Sequence, residues 1–138
     1  MKKVLIITYY WPPAGGPGVQ RVLKFAQYLP EFGWQPIILT IKKGEYPAID
    51  ETLIDDIPEC CKVFKTNSIE PNFFYKKFTG MKPDEKIPVA VLAEKTKNWK
   101  KKSANWIRLN LFIPDAKIGW IPFAVKYGKK IIKKEKPD

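Results

Sequence analysis

The stretch KVLIITYYWPPAGGPGVQRVLKFAQYLPEFGWQPIILTI, running from Lys3 to Ile41, decides the fold. Its opening, Lys3 to Thr8, is a short apolar run with a β-branched bias, the pattern of a strand covered on both faces. After a loop from Tyr9 to Gly18, the apolar residues Val19, Val22, Leu23, Ala26 and Leu29 recur at helical spacing, with Gln20, Lys24 and Gln27 opposite them. Pro30 ends that helix and Gly33 turns the chain. Pro36 to Ile41 then reads as a second buried strand, so residues 3–41 form a β-α-β unit whose crossover is long enough for parallel pairing.

Outward from this unit the pattern continues. Lys62 to Thr66 is a third expected strand, reached through a loop that carries the acidic stretch Asp50 to Asp56. Residues 68–119, rich in Pro, Lys and aromatics, read as an insertion, with helical segments expected over Asn72 to Phe78 and Glu94 to Leu111. After Trp120 a last helix is expected, with Pro122 in its first turn. It places Ile121, Ala124, Val125, Gly128 and Ile132 on one face, and Lys126, Lys129, Lys130, Lys133 and Lys134 on the other. It ends in Lys136-Pro-Asp138, a turn that normally feeds a further strand, so the expectation is a truncated α/β layer: a Rossmann-like domain over 1–138 with its parallel sheet unfinished.

Composition narrows the chemistry. The 138 residues include no histidine, which excludes His-based triads, zincin sites and histidine pH switches. The only cysteines, Cys60 and Cys61, are adjacent, too close for an ordinary disulfide or a chelating pair, and read as belonging to a reducing, cytoplasmic compartment. The apolar stretch at the N-terminus is too short for a signal peptide, and no segment approaches the ~20 apolar residues of a membrane span. Charge is uneven: residues 1–93 hold 12 basic and 10 acidic side chains, residues 94–138 hold 13 and 4. The C-terminal third is therefore a cationic surface, which suits an anionic partner or simply a solvated Lys-rich face.

The loop Tyr9 to Gly18 lies where open parallel sheets place their ligands, beyond the carboxyl end of a strand. Gly15, Gly16 and Gly18 bare their backbone amides, and the following helix turns its positive dipole end toward them, a combination suited to phosphate or diphosphate oxygens. The alternative is that glycine and proline only shape a turn. Ten residues with three aromatics exceed the ~2–6 usual for a strand-to-helix connection, which favours binding. The loop is not a dinucleotide fingerprint, since Arg21 stands where a third glycine belongs, and no GK[ST] follows to make a Walker A loop.

On these residues the chain resembles the amino-terminal domain of glycosyltransferase family 4, the retaining enzymes of GT-B fold. The similarity is carried by KVLIIT, YYWPPAGGPGVQR, KFAQYLPEFGWQPIILT and the later Ile113 to Trp120, with the helix that follows. It implies a two-domain hexosyltransferase that moves a sugar from a nucleotide-sugar to a glycan or lipid-linked acceptor in cell-envelope or polysaccharide biosynthesis. No cofactor and no obligatory metal are implied. This domain would be the acceptor side, without the carboxy-terminal donor domain, and inactive alone. Gly15, Gly16 and Gly18 would line the donor diphosphate, while Tyr10, Trp11 and Arg21 would border it or the acceptor. The catalytic residues stay unassigned, and the missing histidine leaves acceptor activation open.

A basic aromatic segment stands apart from this loop. Lys95, Lys97, Lys100, Lys101, Lys102 and Arg108 are interleaved with Trp99 and Trp106. If helical, the segment sets Trp99 and Trp106 seven apart on one face with the Lys run around them. That arrangement suits a peripheral contact of Trp99, Lys100, Lys101, Lys102 and Trp106 with an anionic membrane, on the cytoplasmic face. The same pattern also fits tryptophans packed into a core with lysines outside, or single-stranded nucleic acid, for which no accompanying signature is present. Asp115 either contacts an acceptor hydroxyl or caps the chain before the last helix. The rival to the transferase is a non-catalytic basic α/β module that binds anionic glycan, lipid or nucleic acid.

Overall fold

A computed structural model describes residues 1–44, 46, 48–69, 106 and 116–138. The chain divides into two compact units, Met1–Ser68 with Pro122–Asp138, and Ile69–Ile121. The first is an α/β unit. Strands β1 (Lys2–Ile7), β2 (Trp34–Ile41) and β3 (Lys62–Thr66) form a parallel sheet in the order β1-β2-β3, with Leu5 opposite Ile37 and Leu39 opposite Phe64. Helix α1 (Pro17–Tyr28) makes the first crossover, and helix α2 (Ile121–Glu135) follows the second unit. In the second unit a 3-10 turn spans Ala116–Trp120, and the Ile69 N–H donates to the Gly119 carbonyl at 3.3 Å. The helices expected over residues 72–78 and 94–111 lie outside the described residues, apart from Trp106.

Alternation along β2 assigns each helix its face of the sheet. Ile38 packs with Trp11 and with Leu23 and Ala26 of α1, and Leu53 and Ile57 from the β2-to-β3 connection lie against this cluster. Ile37 and Leu39 point the other way, toward Ile131 of α2, with Leu5 and Phe64 beside them. Ile37, Ile38, Leu39 and Ala26 are completely buried, and each large aliphatic side chain removed from water this way contributes about 1.5–3 kcal/mol. The central strand is therefore apolar on both sides, as the unbroken run in its sequence required. It starts two residues before Pro36, which is held inside the ladder opposite Val4. Gly33 takes φ 79°, a left-handed conformation that suits glycine, and its N–H caps the 3-10 turn Leu29–Phe32.

Helix α2 corrects one expectation. Its buried stripe is Ala124, Gly128, Ile131 and Glu135, whereas Ile121, Val125 and Ile132 are about half exposed. Gly128 lies against the sheet: a Cβ added there would stand 3.6 Å from Leu39 Cδ2, an ordinary van der Waals contact. Apolarity alone pointed to a face rotated from the one that fits.

The burial of Glu135 has an electrostatic cause. Lys62 Nζ lies 2.7 Å from Glu135 Oε2, Lys3 Nζ lies 3.7 Å from it, and Lys3 Nζ donates to the Glu135 carbonyl at 2.8 Å. The pair ties the end of α2 to the starts of β1 and β3. Just beyond, the Asp138 N–H donates to Lys3 O at 3.0 Å and Lys3 N–H donates to Asp138 Oδ2 at 2.8 Å. The hydrogen bond from Lys62, followed by the charges of Lys62, Lys3 and Lys134, holds the Glu135 carboxyl below its ordinary value.

Two predictions follow from this packing. Trp11→Ala should cost about 3–5 kcal/mol in denaturant unfolding through the cavity it leaves, while Trp11→Phe should cost markedly less. The indole Nε1 is buried with no hydrogen-bond partner among the described residues, so losing it forfeits no bond. Because the Glu135 carboxyl is lowered in the fold, its stabilisation is present above pH 4.5 and is lost as the pH falls below that value. The stability difference between wild type and Glu135→Gln should accordingly shrink across that acidic range in urea titrations at stepped pH.

Candidate functional site

At the carboxyl end of β1 the chain enters the loop that the sequence singled out. Thr8 N–H still donates to Leu39 O, and the Thr40 hydroxyl donates to Tyr9 O, so the first loop residues stay bound to β2. Trp11 to Ala14 close a turn through Ala14 N–H to Trp11 O at 3.0 Å, with a cis Pro12–Pro13 bond inside it. The loop then meets the segment after β2. Ala14 and Ile49 form an antiparallel bridge, Gly15 N–H donates to Ala48 O at 2.9 Å, and Asp50 N–H donates to Pro13 O at 2.8 Å. Asp50 also caps the following 3-10 turn, its Oδ1 accepting from Thr52 N–H at 3.1 Å and from the Thr52 hydroxyl at 2.6 Å.

These bonds distribute the glycine amides unequally. Gly15 is committed to Ala48, and its Cα faces the Cβ atoms of Asp50 and Ala48 so closely that an added Cβ would lie 3.3 and 3.4 Å from them. Gly16 is the N-cap of α1 at φ 103° and ψ 172°, a region essentially reserved for glycine. It offers no side chain to the first turn. Its carbonyl accepts instead from Val19 N–H at 3.2 Å and Gln20 N–H at 3.3 Å. Pro17, first in the helix, has no N–H. The N–H groups of Gly16 and Gly18 are left without a hydrogen-bond partner among the described residues, at the positive end of the helix dipole.

Beside them is a cleft of about 240 Å³ lined by Tyr10, Gly15, Gly16, Pro17, Gly18, Val19 and Ala48. Tyr10 is fixed by its neighbours: its ring stands 5.3 Å from that of Tyr9 and 6.3 Å from that of Tyr46. The lining is largely apolar, with one aromatic ring, and Gly16 and Gly18, whose N–H groups are uncommitted, are among its residues. Such a combination accepts an anionic group together with a flat or hydrocarbon-rich neighbour.

Of the residues singled out in the sequence, Tyr10, Gly15, Gly16 and Gly18 come together around this cleft. Trp11 does not line it; it is 1% exposed in the core with Leu23, Ala26 and Ile38. Arg21 is exposed in the second turn of α1 and forms no ion pair among the described residues. Trp106 is 61% exposed. Asp115, Trp99, Lys100, Lys101 and Lys102 lie outside the described residues. Tyr46 and Ala48 were missed. Their signal was topological, since the loop after β2 leaves the sheet at the same end as the loop after β1.

Among the described residues no group of three or more acidic or cysteine side chains is arranged to hold a metal ion, and no helix is long and apolar enough to cross a membrane. Both cysteines are free thiols. Burial, with Cys60 beside it, pushes the Cys61 thiol up to about 11, so at neutral pH it is protonated and a poor nucleophile. Comparison of the chain with protein-family models, with curated proteins and with solved structures gave no match.

The two free glycines should respond oppositely to the same change. Gly16→Ala should cost about 1–3 kcal/mol, because alanine is strained at that φ and ψ. Gly18→Ala meets nothing within 4 Å and sits in a helical turn, so it should be neutral or stabilising by up to ~1 kcal/mol in denaturant unfolding.

Proposed function

We propose that this chain is the acceptor-side, Rossmann-like half of a retaining GT-B glycosyltransferase. The complete enzyme would move a sugar from a nucleotide-sugar to a glycan or lipid-linked acceptor in cell-envelope or polysaccharide biosynthesis. The observation that carries the reading is the cleft at the carboxyl end of β1, where the Gly16 and Gly18 amides are uncommitted. The sheet order and the helices on both faces are compatible with it, and the resemblance of Lys3 to Ile41 gives the reaction class.

The chemistry suits such a cleft. When the glycosidic bond to the donor breaks, negative charge collects on the departing nucleoside diphosphate. Amides already fixed at a helix start stabilise that charge with no reorganisation. Arg21, exposed one turn further along the same helix, is not among the residues that line the cleft. Tyr10 supplies a ring face against which a sugar packs. The reading calls for a second lobe to supply the opposite wall, because transfer needs both reactants held in one geometry. The 138 residues alone would bind a diphosphate without turning over a nucleotide-sugar.

The second reading is a non-catalytic basic module, favoured by the exposed lysines on α2. Calorimetric titration with UDP and GDP separates the two. The transferase reading expects weak, saturable binding that Gly18→Pro, which deletes one amide in a first turn that tolerates proline, reduces roughly 10-fold or more. Gly18→Ala keeps the N–H and should keep the affinity. Binding that ignores Gly18→Pro, or that falls only when lysines of α2 are removed, would overturn the assignment.

A further inference from the structure

Helix α2 presents an outer surface that neither the core nor the cleft uses. Lys126, Lys129, Lys130, Lys133 and Lys134 are all exposed, and none forms an ion pair among the described residues. The helix has a single acidic side chain, Glu135, and it is buried and consumed by Lys62 and Lys3. Five like charges within nine residues thus have no ion-pair partner among the described residues. Alongside this ridge Val125 and Ile132 are each 50% exposed and Tyr127 is 42% exposed, with Lys130 Nζ 5.5 Å from the Tyr127 ring.

We infer that this face of α2 is a docking surface for an anionic lipid bilayer. Charge complementarity selects the partner: lysines near an anionic leaflet are drawn to it, and their long stems let the ammonium groups reach headgroups while the aliphatic flank approaches the acyl boundary. The exposed aliphatic side chains favour lipid over nucleic acid. A phosphodiester backbone rewards the lysines but leaves Val125 and Ile132 in water, and single-strand binding relies on aromatic platforms, of which the face has one. The helix need not leave the sheet to bind, because its inner stripe of Ala124, Gly128 and Ile131 stays packed. The inference stands without the transferase reading, since it uses none of the residues of the cleft.

The test is co-sedimentation of the full 138-residue chain with vesicles of phosphatidylglycerol and phosphatidylcholine in equal parts, and of phosphatidylcholine alone, at low and at physiological salt. Binding is expected to the anionic vesicles only, and to weaken as salt rises. Lys126→Gln, Lys129→Gln, Lys130→Gln and Lys133→Gln combined should lower partitioning about 100-fold or more. A control of equal charge, Lys24→Gln, Lys42→Gln, Lys43→Gln and Lys65→Gln combined, should lower it much less. Val125→Ser with Ile132→Ser should give a smaller loss that persists at high salt. Circular dichroism checks that each variant stays folded. Equal loss in the two lysine sets, indifference to lipid charge, or tighter binding to a single-stranded oligonucleotide than to anionic vesicles would each overturn the inference.

Discussion

The Gly15 N–H to Ala48 carbonyl bond, with Asp50 N–H to Pro13 O beside it, sets the path of everything at the carboxyl end of the sheet. The connections after β1 and after β2 both leave the sheet at that end, and each contains backbone that must find hydrogen-bond partners. By pairing with each other over a few residues they satisfy part of that demand. An added Cβ at position 15 would lie 3.3 Å from Asp50 Cβ and 3.4 Å from Ala48 Cβ, a tight fit in which the neighbours would have to give slightly. Downstream of it the chain reaches Gly16 already turned into α1, and the N–H groups of Gly16 and Gly18 have no hydrogen-bond partner among the described residues.

The loop's geometry depends in turn on the core. Trp11 is sunk among Leu23, Ala26 and Ile38, so the loop is anchored by a large indole rather than by contacts at its tip. Tyr9 is nearly buried as well, and Tyr10 is held between Tyr9 and Tyr46. An aromatic run that would be adhesive if exposed is divided: Tyr9 and Trp11 are buried, and Tyr10 lines the cleft. On the opposite face of the sheet, α2 packs through Ala124, Gly128 and Ile131, and the Glu135 carboxylate fastens its end to Lys62 and Lys3. The lysines beyond that contact are left facing outward.

Much of this was legible in the residues because one physical signal dominated each element. The β-branched apolar runs at 4–7 and 37–41 and the 3.6-residue recurrence from Val19 to Ala26 had no competing interpretation, and the third strand has the bounds its residues indicated, Lys62–Thr66. Helix α2 was harder to orient, because the closest approach to the sheet is made by residues with little side chain and by a charged one. Hydropathy ranks Ile121, Val125 and Ile132 above Gly128 and Glu135, yet the buried side includes Gly128 and the ion-paired Glu135. In the loop, three glycines looked equivalent. Only the partnership with Ala48, a contact between residues more than thirty apart in sequence, separates Gly15 from Gly16 and Gly18. Trp11 likewise looked like a cleft residue because its neighbours are loop residues, and nothing local says that its ring turns down into the core.

The account rests on two glycine amides being available to an anion at the start of α1. Nitrogen-15-resolved NMR of the 138-residue chain titrated with UDP reads them directly. The expected result is a saturable shift of the Gly16 and Gly18 amide signals, with Gly15, already bonded to Ala48, moving much less. Shifts confined to the lysines of α2, or no shift at Gly16 and Gly18 at any concentration, would contradict it.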